Sequence, residues 1–194
     1  MTAAFHPAFA IFGLWAAWAA SWSAAALWRD RTEARPPLGA EIRYRLPMIA
    51  GALLLLIPAH GYEGALRLWH VGWTAAWACV AVVALGIAFA WWARLHLGRL
   101  WSGRITRKVD HRVVDSGPYG IVRHPIYTGL LLSLLATSVA KGTVPGIAGF
   151  ALLLLGIWMK AGLEERWLTQ ELGEGDYESY RRRVPMLLPF GRKG

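Results

Sequence analysis

The chain has 194 residues, 56% of them apolar and twelve of them tryptophan, yet it carries a formal net charge of +9. Apolar runs at this density, with a positive mean hydropathy, make lipid the main solvent; the basic partner is then an anionic lipid headgroup surface and no nucleic acid. The single Cys79 lies inside an apolar run, which excludes a disulfide framework and a cysteine-based metal site.

Taken in chain order, the first apolar stretch covers 5–28 and carries Trp15, Trp18, Trp22 and Trp28. No charged segment precedes it and no small-residue cleavage site stands out, so it reads as a retained span. A second, shorter stretch covers 46–59, and a third covers 73–92. Residues 125–140 and 146–158 are short apolar stretches joined by Lys141-Gly142-Thr143-Val144-Pro145, and together they read as a helical hairpin. Pro125 and Pro145 both stand near helix starts, where a missing N–H costs little. The expectation is an all-α membrane protein of five transmembrane helices, forming one domain over 1–194. Residues 1–92 hold spans one to three, and 93–194 hold the half with the chemistry, closed by a cytoplasmic helical tail.

Charge placement agrees with five spans. Lys and Arg number five in 29–45, seven in 94–124 and seven in 160–194, and the other two are Arg67 and Lys141. Five crossings put the three rich segments on one face. Positive charge concentrates on the cytoplasmic side, so the N-terminus is expected outside and the C-terminus inside. The abundance of tryptophan, alanine and arginine suggests a GC-rich genome, hence a bacterial inner membrane.

No dinucleotide, P-loop or H-E-x-x-H pattern is present, and no serine sits in a G-x-S-x-G setting. His111 and His124 lack a third ligand in metal spacing, so no metal is expected. The density of chemistry lies in 116–129, SGPYGIVRHPIYTG, where Tyr119, Arg123, His124 and Tyr127 crowd the start of a membrane helix. Such a helix start offers unpaired N–H groups and a positive dipole end, suited to an anionic group. Gly129 leaves room for something to lie against the backbone. Singly, these residues also read as interface anchors and members of an aromatic belt; clustered, they read as a site.

The tail supplies a second half. Lys160, Glu164, Leu168 and Leu172 recur every four residues and share a helix face. Glu164 reads either as half of a surface pair with Lys160 or as a carboxylate facing a ligand's positive charge. Glu165 lies about 100° away around the helix. It is expected toward solvent or Arg166, as the weaker candidate. Asp176 begins a short helix with Tyr177 and Tyr180 on one face, and Arg181-Arg182-Arg183 reads as a lipid-headgroup contact.

The combination His111-x-x-Val114-x-x-Gly117-x-Tyr119, Arg123-His124-Pro125-x-Tyr127-x-Gly129, Glu164-Glu165, Tyr177-x-x-Tyr180 and Arg183-Val184-Pro185 resembles the isoprenylcysteine carboxyl methyltransferase family. The likeness runs from Trp92 to Pro189. It implies an integral-membrane enzyme using S-adenosylmethionine and leaving S-adenosylhomocysteine. It implies a donor site formed by His111, Arg112, Val113, Val114, Tyr119, His124, Pro125, Ile126, Tyr127 and Glu164. Lys160 stands where eukaryotic members carry a substrate-binding arginine; it keeps the charge and loses the bidentate fork. Arg104 stands where those members have an uncharged polar donor-site residue.

On this resemblance Arg123, Lys160 and Glu164 are the candidate catalytic residues. Arg123 and Lys160 steer an acceptor anion, and Glu164 holds the donor's ammonium or ribose. A carboxylate acceptor is already ionised and needs no general base, so alignment and water exclusion are the enzyme's task. The acceptor implied is a prenylated cysteine or a similar lipid-like carboxylate entering from the bilayer. A phospholipid amine is the alternative, for which His124 or Glu165 would serve as base. A relative of membrane sterol reductases and a non-catalytic scaffold are the other readings.

Overall fold

The computed structural model describes residues 5–26, 32–34, 38–56, 64–98, 101, 107–108, 113–172 and 176–191. Among them lie six α-helices: α1 (Pro7–Ala25), α2 (Leu38–Leu56), α3 (Trp73–Leu97), α4 (Pro125–Lys141), α5 (Val144–Leu172) and α6 (Asp176–Arg183). Pro7 and Pro125 open α1 and α4 at positions whose N–H would have no partner within the helix. The hairpin expected over 125–160 is present: α4 stops at Gly142, whose φ of 62° is left-handed, and α5 starts at Val144. Several boundaries differ: α2 begins at Leu38, ahead of the stretch expected from 46, and α3 runs past Trp92 to Leu97. Helix α5 does not stop near Trp158 but runs on to Leu172, so Lys160, Glu164 and Glu165 ride on the same rod as its apolar half.

Among the described residues, the departure from all-α architecture is a small antiparallel ribbon, β1 (Thr32–Ala34) with β2 (Arg107–Lys108). It joins the α1–α2 connection to the α3–α4 connection. The other two connections also meet, because the N–H groups of Leu68 and Trp69 donate to the Gly142 carbonyl and Arg67 bridges to Thr143. Lys141 adds a cap there, donating to the carbonyls of Leu54 and Leu55 at 2.9 and 2.7 Å at the end of α2. The basic connections are therefore gathered together, away from the turn of the hairpin.

Helix α5 packs on α2 and α4, α4 on α3, and α3 on α1. Small residues set the separations. A Cβ on Gly51 of α2 would stand 2.6 Å from the Gly149 carbonyl oxygen of α5. On the other side of the bundle, a Cβ on Gly129 of α4 would collide with the Gly86 carbonyl of α3 and stand 2.8 Å from the Ala90 nitrogen. Ser133 stitches the same pair by donating to the Val83 carbonyl at 3.0 Å. Close backbone approach through small residues is how helices associate where burial of apolar surface no longer drives them together. The space at Gly129, expected to admit a ligand, is thus occupied by α3.

Helix α1, helix α3 and residues Val144–Gln170 are each long and apolar enough to cross a membrane, and α4 is apolar over a shorter length. Their outward faces carry Phe9, Phe12, Leu85, Leu95, Leu155 and Trp158, all exposed. An apolar surface of that extent suits lipid and not water.

Gly129→Val should overpack the α3–α4 seam and cost about 1–3 kcal/mol. Its thermal unfolding midpoint in detergent is expected well below wild type, and an unchanged midpoint would contradict this backbone separation.

Candidate active site

The site is assembled where the tail folds back on the start of α4. Residues Gly117–Gly120 form a single tight turn, with Gly117 at a φ of 57° beneath the His96 ring. The Tyr180 hydroxyl donates to the Tyr119 carbonyl at 2.7 Å. The N–H groups of Arg123 and His124 donate to the carbonyls of Pro185 and Met186 at 2.9 and 3.1 Å, and Thr128 donates to the Leu187 carbonyl at 2.7 Å. Tyr177, Tyr180 and Val184 bury one another against Val113 and Leu168, which anchors α6 to α5. Desolvation holds the phenols of Tyr119, Tyr177 and Tyr180 above the ordinary tyrosine range, so all three stay protonated donors at neutral pH.

Glu165 corrects the sequence expectation. It does not face solvent; it is buried and lies at the centre of this junction. Arg123 grips it bidentately, Nε to Oε1 at 2.7 Å and Nη2 to Oε2 at 3.2 Å, while Nη1 donates to the carbonyls of Arg181 and Val184. The His124 Nε2 lies 3.1 Å from Oε1, and the Arg181 Nε lies 3.5 Å from Oε2. The reason lies in the packing of α5: the side that Glu164 leaves, one residue on, is the side covered by the Arg123–His124 corner and α6. The Arg181-Arg182-Arg183 triplet divides accordingly. Arg181 turns inward to Glu165 and Glu178, Arg183 pairs with Asp115 at 3.1 Å, and Arg182 is exposed.

The neighbouring face of the same corner is the ligand candidate. The Tyr127 hydroxyl donates to Glu164 Oε2 at 2.8 Å. The His124 and Tyr127 rings are stacked, with centroids 5.4 Å apart and planes 12° from parallel. The Lys160 ammonium stands 5.2 Å from the Tyr127 ring centroid and 6.0 Å from that of Tyr44 on α2. Carboxylate, stacked rings and ammonium are therefore adjacent. Among the other expected donor-site residues, Tyr119 and Pro125 are buried, Val114 and Ile126 are half-buried, and Val113 belongs to the tail cluster. His111, Arg112 and Arg104 lie outside the described residues. Tyr44 was not foreseen, because it lies ahead of the stretch expected as the second span from 46, whereas α2 begins at Leu38. Among the described residues, no group of three His, Cys, Asp or Glu side chains is placed to hold a metal ion.

A carboxylate beside stacked aromatic faces suits a ligand with both a flat ring and a positive charge, since the charge meets Glu164 and the π-faces while the ring stacks. A nucleoside carrying a sulfonium and an ammonium has that chemistry, so these residues fit S-adenosylmethionine.

The bundle and this corner define a helical membrane protein with a polar site at one end. Residues 78–169 match the model of the isoprenylcysteine carboxyl methyltransferase family, so just under half of the chain is similar to this family. The matched segment includes Arg123, His124, Tyr127, Lys160, Glu164 and Glu165; the tail from 176 onward lies beyond it. The protein-S-isoprenylcysteine O-methyltransferase of Schizosaccharomyces pombe is 34% identical over 85 residues, 43% of this chain and 36% of that protein. The Arabidopsis thaliana protein-S-isoprenylcysteine O-methyltransferase B is 33% identical over 88 residues, 45% of this chain and 44% of its own length. Methanethiol S-methyltransferase 2 of Bradyrhizobium diazoefficiens is 35% identical over 138 residues, 64% of this chain and 51% of its own. The chain thus spans about half or less of these curated relatives.

Removing one partner of a buried, doubly gripped ion pair strands the other charge, a loss of about 3–5 kcal/mol. Glu165→Ala is therefore expected to free the tail, seen as rapid proteolysis between α5 and α6 and a lowered unfolding midpoint. Proteolysis at the wild-type rate would show that Glu165 does not hold this corner.

Proposed function

We propose that the chain is an integral-membrane methyltransferase that uses S-adenosylmethionine to methylate an anionic acceptor with an apolar stem. The observation that carries this reading is the Tyr127–Glu164 hydrogen bond beside the stacked His124 ring and the Lys160 ammonium. S-adenosylmethionine supplies a methyl on a sulfonium, whose electron pair stays with sulfur as the acceptor's lone pair forms the new bond to carbon.

Glu164, oriented by the Tyr127 hydroxyl, holds the donor's positive end or ribose. The stacked rings of His124 and Tyr127, with Tyr119, Val114 and Ile126, enclose the flat part; His111 and Arg112 are assigned to the donor by the family resemblance alone. Lys160 holds the acceptor anion. Arg123 acts as a positioning residue instead of a direct acceptor contact, because its Nε, Nη1 and Nη2 are all turned to Glu165 and tail carbonyls. The chain's work is alignment of two reactants and exclusion of water. In the bilayer, α1 to α5 act as five spans with the basic connections and the site cytoplasmic, and the exposed Arg182 meets anionic headgroups of a bacterial inner membrane.

Two acceptors share the required chemistry: the carboxylate of a prenylated cysteine or similar lipid, and a thiolate. The thiolate reading is favoured by Lys160, a point charge that serves sulfur as well as oxygen, and by likeness to a protein named methanethiol S-methyltransferase. An amine acceptor fits less well. It needs a free base, and both His124 and Glu165 are committed to the buried cluster.

Calorimetry with S-adenosylhomocysteine tests the donor site. Wild type is expected to bind, and Glu164→Ala to weaken binding by about 10–100-fold, the worth of a hydrogen bond to a charged group. Product analysis then separates the acceptors: a methyl ester releases methanol in base, whereas a thioether does not. A folded wild type that binds no S-adenosylhomocysteine would sink the methyltransferase reading.

A further inference from the structure

The second span carries no motif, yet α2 reaches the site. Tyr44 is 4% exposed, and its ring is the second aromatic face beside the Lys160 ammonium. Its placement is a consequence of packing on α5. A Cβ on Gly156 would stand 2.9 Å from the Tyr44 carbonyl oxygen, 3.2 Å from the Met48 nitrogen, and would collide with the Met48 side chain. Gly156 lies one turn before Lys160, so the backbone of α2 at Tyr44 rests directly on the rod that carries the ammonium. Glycine there sets how close the Tyr44 ring comes to Lys160.

Polarity changes at the same point of α2. Glu41 is buried and paired with Arg45 one turn on, whereas Leu46, Met48 and Ile49 begin an apolar run. Tyr44 therefore stands at the boundary between a charged turn and an apolar helix, beside a cation. An acceptor with an anionic head and an apolar stem meets the same boundary in the same order.

Resting on the methyltransferase reading, we propose that Tyr44 is a specificity-determining residue for the acceptor. Its ring, held against Lys160 by the Gly156 contact, forms the wall on which the apolar stem next to the anionic head lies. The donor is bound on the Glu164 side and does not depend on this wall. An acceptor without a stem gains nothing from it, so Tyr44 favours stemmed anions over the smallest ones.

The test uses full-length protein in detergent with labelled S-adenosylmethionine and two probes, N-acetyl-S-farnesylcysteine as a stemmed carboxylate and methanethiol as a stemless thiol. Tyr44→Leu removes the ring, and Gly156→Ala pushes α2 away while leaving the ring intact. Both are expected to raise KM for the farnesyl probe about tenfold, a typical worth of a buried aromatic contact, with little effect on KM for methanethiol. Affinity for S-adenosylhomocysteine should stay within about threefold of wild type in both, and Tyr44→Phe should rescue KM. Donor-product affinity falling in step with KM would overturn the proposal in favour of a structural role, as would an unchanged KM, an equal rise for both probes, or a Tyr44→Phe variant as poor as Tyr44→Leu. Wild type that binds S-adenosylhomocysteine but methylates neither probe overturns the anionic-acceptor assignment and the role of Tyr44 with it. Failure of wild type to bind S-adenosylhomocysteine at all is the separate failure of the methyltransferase reading.

Discussion

One buried carboxylate joins three parts of the chain that are far apart in sequence. Glu165 of α5 is held by Arg123 and His124 at the entrance to α4, and Arg181 of α6 approaches its other oxygen. A single unpaired charge at that depth would be costly, and a planar guanidinium gripping both oxygens is the arrangement best able to offset the desolvation. Arg123 extends the effect by donating to the carbonyls of Arg181 and Val184, so the same guanidinium neutralises the charge and pins the tail. The geometry of the ligand face follows from this. The His124 ring that stacks on Tyr127 also meets Glu165, and Tyr127, one turn into α4 from the Arg123–His124 corner, reaches Glu164.

The bundle beneath obeys a different constraint. Its outer surface is apolar, so little is gained by helix association through burial alone, and close backbone contact must supply cohesion. Gly86 with Gly129 brings α3 onto α4, and Gly51 with Gly149 brings α2 onto α5. These contacts lie along the helices that end at the site, and they fix the distance between Lys160 and the rings that face it. Precision at the polar end is therefore set by residues with no side chain at all, one or more turns away.

Much of this was legible in the residues. Pro125 and Gly142 marked the ends of α4, the four-residue spacing put Lys160 and Glu164 on one stripe, and Tyr127 fell in the first turn of the helix that faces them. The angular separation of Glu164 and Glu165 was also legible, but not what covers each side. A helical wheel gives the angle between neighbours and says nothing of which neighbour packs where; here the side on which Glu165 lies is covered by the Arg123–His124 corner and Arg181 of α6 instead of water. Gly129 failed for the same reason, since a glycine that admits a ligand and one that admits another helix read alike. Tyr44 was invisible because its role depends on α2 lying against Gly156, a contact between residues more than a hundred positions apart.

The pair of glutamates explains how one helix can both build and use the site. Adjacent residues on a helix point about 100° apart, so Glu164 and Glu165 sit in different surroundings although they share a backbone. Glu165 meets two guanidinium groups and an imidazole and is consumed by structure. Glu164 accepts from a neutral phenol, which orients it, and interacts with the charge of Lys160 one turn before it; on the proposed reading this is the carboxylate that meets the donor. Two aspartates, with shorter arms, would reach neither Arg123 nor Tyr127 across the same gaps. A lysine at 165 would repel the two arginines that close the tail. The dyad therefore needs this residue type at both positions for different reasons: reach and charge to close the fold at one, and reach and charge beside Tyr127 and Lys160 to receive a ligand at the other.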